Sequence, residues 1–148
     1  MNINTIRHSV AHNLAAAVKE LYSGVKFGIG PAIENGFYYD FDFSSPISDK
    51  DLPKIEDKMR EIVKTWHGFE KTVVKEDIAK STFGENEFKN ELITEIVNKG
   101  EEITFYKSGD FTDLCRGGHV EDMSEVATDS WKLDRIAGAY WRGSEKNK

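Results

Sequence analysis

The segment at 37–43, Phe-Tyr-Tyr-Asp-Phe-Asp-Phe, places strong constraints on the fold because apolar and polar positions alternate along it. A period of two is typical of a strand that is buried on one face only. Segments with helical periodicity lie on both sides of it without strict strand–helix alternation. The chain is therefore predicted to be an α+β domain, with an antiparallel or mixed sheet and helices packed on it. The alternating aromatic side chains are Phe37, Tyr39, Phe41 and Phe43.

Three segments repeat apolar residues with the 3.6-residue period of an α-helix. The first is 3–24; the second begins near Ser48, which has capping-box spacing to Asp51; the third is 86–98. Two further strands are predicted at 69–76 and 101–109.

Length, composition and charge exclude several classes of protein. A chain of 148 residues suits one domain with its own core, and a single cysteine excludes an internal disulfide. No signal peptide and no apolar run of membrane-spanning length is visible, so we expect a cytoplasmic protein without a membrane partner. The formal charge of −6 disfavours a domain that binds nucleic acid mainly through phosphate contacts.

The first helix carries two histidines one turn apart, His8 and His12, on the side away from its apolar stripe. Small residues surround them, at Ala11, Ala15 and Ala16. An i,i+4 histidine pair can hold a metal, a water molecule or a substrate oxygen. The same pattern also fits an ordinary solvent-exposed face, and for this pair alone both interpretations stay open.

A second pair of residues favours the interpretation of His8 and His12 as part of a functional site. Cys115 and His119 are four residues apart in a glycine-containing turn. Together the two pairs contain three of the four histidines and the only cysteine, and these residue types match a tetrahedral His3Cys site. Coincidence is the weaker explanation of the combined pattern.

Two charged residues also depart from their local pattern. Lys89 falls within the apolar stripe of the third helix, so it either extends along the core edge to solvent or points into a polar pocket. Asp113, two residues before Cys115, is suited to orient a histidine or bind an ammonium group, and equally to bond its own turn.

Four stretches that carry these residues resemble the editing domain of bacterial-type threonyl-tRNA synthetase, related to the alanyl-tRNA synthetase editing domain. They are RHSVAHNLAAAVKELY, GIGPAIENGFYYDFDF, GDFTDLCRGGHV and IAGAYWRGSEKNK. The resemblance implies a single editing domain over 1–148, a fragment without the synthetase's catalytic and anticodon-binding domains.

The resemblance also implies a set of site residues. The catalytic group would be His8, His12, Lys89, Cys115 and His119, and the substrate-binding group Asp113 with Tyr38 or Tyr39. One departure from the family is visible, because Gly118 stands where the family usually has proline. Without that proline the backbone before His119 has more conformational freedom, which affects the rigidity of the loop more than its chemistry.

The activity implied is hydrolysis of seryl-tRNA(Thr), with the acceptor end of tRNA(Thr) carrying serine and the remaining synthetase domains as partners. No cofactor is expected, although zinc could be held by His8, His12, Cys115 and His119. The alternatives are a freestanding or alanyl-type trans-editing deacylase, and a non-catalytic zinc-stabilised tRNA-docking module. The predicted contacts to the tRNA backbone are Lys132, Arg135, Arg142, Lys146 and Lys148. A solvated basic face is the more common meaning of such a cluster and stays open as the alternative.

Overall fold

The computed structural model of the chain describes residues 3–28, 32–33, 36–44, 47–66, 68–84, 86–114, 123, 126 and 131–133. These residues combine α-helices with small antiparallel sheets, which confirms the α+β prediction. The helices are α1 (Ile3–Leu21), α2 (Leu52–Val63), preceded by a 3-10 turn at Asp49–Asp51, α3 (Glu76–Phe83) and α4 (Glu87–Asn98). The strands are β1 (Lys26–Phe27), β2 (Ala32–Ile33), β3 (Gly36–Phe37), β4 (Phe41–Asp42), β5 (Glu70–Val74), β6 (Ile103–Ser108) and β7 (Phe111–Leu114). No helix in this part of the chain is long and apolar enough to cross a membrane.

Helix α1 lies at the centre of the main core. Ten consecutive residues, Ser9 to Val18, are buried, so the helix is enclosed on all sides rather than along one stripe. Alanines at four of these positions allow neighbouring elements to approach closely, and α2 packs along α1. The core also contains Phe27, Trp66 and Phe111 from other segments.

The three-stranded sheet has the order β5-β6-β7, and a two-residue turn of Gly109 and Asp110 joins β6 to β7. Side chains alternate between its faces, so Phe111 and Asp113 share one face and Leu114 lies on the other. Leu114 packs against a second, smaller core formed with α3 and α4. Phe111 belongs to the main core with α1, and Asp113 therefore lies on the face that leads to α1.

The aromatic segment at 37–43 differs from its prediction in one respect. It forms two short strands instead of one, because β3 pairs with β2 whereas β4 pairs with β1. The predicted facing is correct nevertheless. All four alternating aromatic side chains pack against the main core: Phe37, Tyr39, Phe41 and Phe43.

The predicted start of the second helix is confirmed, since the Ser48 backbone N–H donates to Asp51 Oδ2 at 2.9 Å. Asn86 caps α4, with Oδ1 accepting from the Lys89 backbone N–H at 3.4 Å. Helix α3 was not predicted from the sequence.

Candidate functional site

A buried ion pair joins α4 to β7. Lys89 is 1% exposed, and its Nζ lies 2.9 Å from Asp113 Oδ1. The expectation that this lysine could reach solvent along the core edge is therefore wrong, and the polar-pocket alternative is correct. The first turn of α4 is fixed where it carries Lys89, because Asn86 caps it and also donates from Nδ2 to the Phe27 carbonyl at 3.2 Å.

Tyr39 completes this cluster. Its hydroxyl donates to Asp113 Oδ2 and accepts a hydrogen bond from Lys89 Nζ at 3.0 Å. Its ring stacks on Phe41, with 4.9 Å between ring centroids, so the hydroxyl is held in place. Tyr38, the alternative from the sequence, is 40% exposed, and the geometry brings Tyr39 to the charged pair instead.

The Asp113 carboxylate is largely occupied by these contacts. Oδ1 accepts from Lys89 and from the Leu114 backbone N–H at 2.8 Å, and Oδ2 accepts from Tyr39. The carboxylate thus orients the lysine and the tyrosine. The Lys89 ammonium has three N–H donors, and the bonds to Asp113 and Tyr39 use two of them.

His12 lies close to this cluster in an aromatic enclosure. The imidazole is 4% exposed and meets three rings edge-on, at centroid distances of 5.5 Å to Trp66, 5.2 Å to Phe69 and 4.8 Å to Phe111. The alternative of a solvent-exposed face is wrong for this residue.

The same enclosure changes the charge state of His12. Burial lowers its pKa from 6.5 to about 4, more than the nearby Asp113 carboxylate raises it. His8 and Lys89 lower the pKa further, and a hydrogen bond with the Phe111 backbone opposes them. His12 is therefore a neutral imidazole at pH 7. His8, one turn earlier on α1, is half-buried and close enough to interact electrostatically with His12.

Cys115, Gly118 and His119 lie outside the described residues, although Cys115 directly follows β7 in the chain. Whether the two sequence pairs meet in a His3Cys site stays a prediction. Within the part of the chain that is described, no group of three histidine, cysteine, aspartate or glutamate residues could hold a metal ion. Of the five predicted tRNA-backbone contacts, only Lys132 is described, and it is exposed.

Sequence reasoning did not identify the residues that shape this site. Three rings enclose His12: Trp66 and Phe69 from the connection between α2 and β5, and Phe111 from β7. No periodic pattern in the sequence links these positions. The role of Asn86 had a local signal, since asparagine directly before a helix is a strong N-cap residue.

The candidate site lies in an α+β domain and brings together side chains from α1, α4 and β7. It combines a neutral imidazole, a buried ammonium group with one N–H donor that no described residue uses, and largely apolar surroundings that strengthen electrostatic interactions. Such groups can hold a water molecule and stabilise negative charge on a carbonyl oxygen.

Sequence comparison shows that this chain is similar to threonine–tRNA ligases. It is 50% identical over 142 residues to the threonine–tRNA ligase of Borrelia turicatae, 51% over 144 residues to that of Acetivibrio thermocellus, and 48% over 146 residues to that of Staphylococcus aureus. These alignments cover 96–99% of this chain and 22–24% of each relative, so the chain spans about a quarter of their length. No protein-family model matches the chain. The resemblance to a threonyl-tRNA synthetase is confirmed: the chain is homologous to one segment of threonine–tRNA ligases, consistent with a single domain of such an enzyme.

Proposed function

We propose that this domain hydrolyses seryl-tRNA(Thr) as the editing part of a threonyl-tRNA synthetase, acting in the cytoplasm. Two observations support the proposal. The homology covers nearly the whole chain, and the buried Lys89–Asp113–Tyr39 cluster lies close to a neutral His12. The cluster is the observation that carries the argument, because it supplies the groups that ester hydrolysis needs.

The need for such an activity follows from the difference between serine and threonine. One methyl group supports discrimination of only about 10–200-fold, and a site that admits threonine cannot exclude the smaller serine by size. A second site can work in the opposite sense, by accepting serine and rejecting threonine through a clash with its extra methyl group.

The proposed chemistry requires one water molecule and the aminoacyl ester. His12 or His8 holds the water, whose oxygen attacks the ester carbonyl carbon, and the remaining N–H donor of Lys89 stabilises the oxyanion of the tetrahedral intermediate. The bond from that carbon to the ribose oxygen then breaks. The attacking water loses one proton, which the vicinal hydroxyl relays to the departing ribose oxygen, and the products are serine and uncharged tRNA.

The other side chains have supporting roles in this mechanism. Asp113 and Tyr39 orient the Lys89 ammonium, because both bond directly to it. One acceptor position on Asp113 is used by no described residue, and it is proposed to bind the substrate's α-ammonium group. Cys115 and His119 are proposed to line the same pocket. Cys115 is not needed as a nucleophile, because the ester is already reactive.

Metal-free hydrolysis is the form of the mechanism that we propose. A neutral imidazole such as His12 is the form that binds zinc, so this residue would fit a metal as well as a water molecule. If zinc bound, His8, His12, Cys115 and His119 would hold it and it would polarise the water. A chelator distinguishes these two forms of the site.

The experiment is deacylation of seryl-tRNA(Thr) by the 148-residue chain, with threonyl-tRNA(Thr) and seryl-tRNA(Ala) as competing substrates. We expect loss of serine from tRNA(Thr), no loss of threonine, and no effect of chelator. Lys89→Met should lower kcat about 10²–10³-fold because the oxyanion loses its donor. Lys99→Met, in an exposed pair with Glu95 just beyond α4, is the matched control and should keep full activity.

Other outcomes would support the alternatives. Preference for seryl-tRNA(Ala) would indicate an alanyl-type trans-editing deacylase. Binding of tRNA without hydrolysis, together with unfolding by chelator, would indicate a zinc-stabilised docking module. Full activity of Lys89→Met would show that the buried cluster does not carry the reaction.

A further inference from the structure

Lys19 lies near the end of α1 with its ammonium group at the edge of the candidate site. Its Nζ is over the Phe111 ring, 5.6 Å from the ring centroid, and the side chain is exposed. The Phe111 ring in turn contacts the His12 imidazole at a centroid distance of 4.8 Å. One aromatic side chain therefore separates this cation from the proposed water-binding histidine.

Helix geometry explains why the lysine points this way. Lys19 follows His12 by seven residues, about two turns, so the two positions differ by only about 20° around the helix axis. Long side chains on a helix lean back towards its N-terminus. The Lys19 side chain is thus directed along α1 towards His12, and the contact with Phe111 holds it there.

The charge of Lys19 is not neutralised by a described carboxylate. Among the ion pairs of the described residues, Lys26 bonds Glu87 and Lys58 bonds Glu61, but none includes Lys19. In a chain of net charge −6, a cation that no described carboxylate pairs with, beside a largely apolar site, favours an anionic ligand.

The chemistry of the substrate identifies that anion. When an aminoacyl ester lies at Lys89 and His12, the nearest negative charge on the RNA is the phosphodiester 5′ of the terminal nucleotide, attached to the same ribose. We propose that Lys19 binds this phosphodiester and so positions the terminal nucleotide at the site. This inference rests on the proposed deacylase function, for which it supplies the first phosphate contact.

The test uses two stable analogues of the aminoacylated terminal nucleoside. Both carry serine on a 3′-amide of 3′-amino-3′-deoxyadenosine, and one also carries a methyl-esterified 5′-phosphate that reproduces the charge of the diester. Calorimetric titration of the 148-residue chain should show about 5-fold tighter binding of the phosphorylated analogue, as expected for one exposed ionic contact. This advantage should shrink as the salt concentration rises.

Lys19→Gln should remove the phosphate advantage while leaving affinity for the phosphate-free analogue unchanged. Lys54→Gln is the matched control, because Lys54 is exposed and its Nζ lies over another ring, that of Tyr22, at 5.2 Å. This variant should bind both analogues as the unmodified chain does.

An equal phosphate advantage in Lys19→Gln and the unmodified chain would overturn the inference, as would failure of the unmodified chain to bind either analogue. The proposed function is judged separately, by deacylation of seryl-tRNA(Thr). Deacylation combined with a phosphate advantage independent of Lys19 would reject only the phosphate site. A Lys19-dependent advantage in a chain that does not deacylate would reject only the proposed hydrolysis.

Discussion

The Lys89–Asp113 contact is the most buried ion pair among the described residues, with side chains 2% and 4% exposed. Removing one partner leaves the other charge buried without compensation. Lys89→Met should therefore lower the free energy of unfolding by about 3 kcal/mol or more, measured by urea denaturation. The double variant Lys89→Met/Asp113→Leu should lose clearly less than the sum of the two single variants, because it leaves no uncompensated charge.

Lys99→Met is also the control for this comparison of single and double variants, because Lys99 and its partner Glu95 form an ion pair on the surface. Its cost should stay within about 0.5 kcal/mol. Strict additivity of the Lys89 and Asp113 variants would contradict the prediction, since it would mean that the two charges do not stabilise each other.

The turn between β6 and β7 is built around a glycine that a larger residue cannot replace. Gly109 has φ +59, and a Cβ atom there would lie 2.7 Å from the Nε1 of Trp66. Gly109→Ala should destabilise the domain by about 3 kcal/mol, as the sum of left-handed backbone strain and displacement of a buried ring. The same variant should reduce deacylation, because Trp66 also packs against His12.

Gly100→Ala separates the two contributions, because Gly100 has φ +73 but nothing within 4 Å of its Cβ position. This control should cost only about 1–2 kcal/mol. Equal losses in the two variants, measured by urea denaturation, would show that Trp66 does not press against the turn.

The helices that the sequence predicted are those with a repeated apolar pattern. Helices α1, α2 and α4 each have such a pattern, whereas α3 buries only Ala79 and leaves Ile78 53% exposed, so no stripe marks it. Alternation in the aromatic segment correctly indicated which side chains face the core. It could not indicate that β3 and β4 pair with different strands, because pairing depends on segments elsewhere in the chain.

The site was predictable only where a residue type conflicted with its surroundings. Lys89 was noticed as a cation within an apolar stripe, and Asp113 by its position before Cys115. The aromatic residues around His12 conflict with nothing locally, since Trp66 and Phe111 are ordinary core residues and Phe69 packs against the same core. Only the folded domain brings Trp66, Phe69 and Phe111 together around one imidazole, and with them comes the lowered pKa.

That pKa makes the stability of the whole domain depend on pH. His12 has a pKa of about 4 when folded and 6.5 as the ordinary value, so between these values the unfolded chain binds more protons than the folded one. Stability is therefore full above pH 6.5 and falls as the pH is lowered. For His12 alone the loss between pH 7.5 and pH 5 should be about 2 kcal/mol.

Urea denaturation at pH 7.5, 6.5 and 5 measures this dependence directly. In His12→Asn, the fall in unfolding free energy over this range should be smaller by about that amount, because the titrating group is gone. His8→Asn is the matched control and should keep most of the fall, since it leaves the aromatic enclosure of His12 intact. Parallel pH dependences of the unmodified chain and His12→Asn would mean that the imidazole is not held neutral by burial. The proposed role of His12 as a neutral water-binding group would then fail with it.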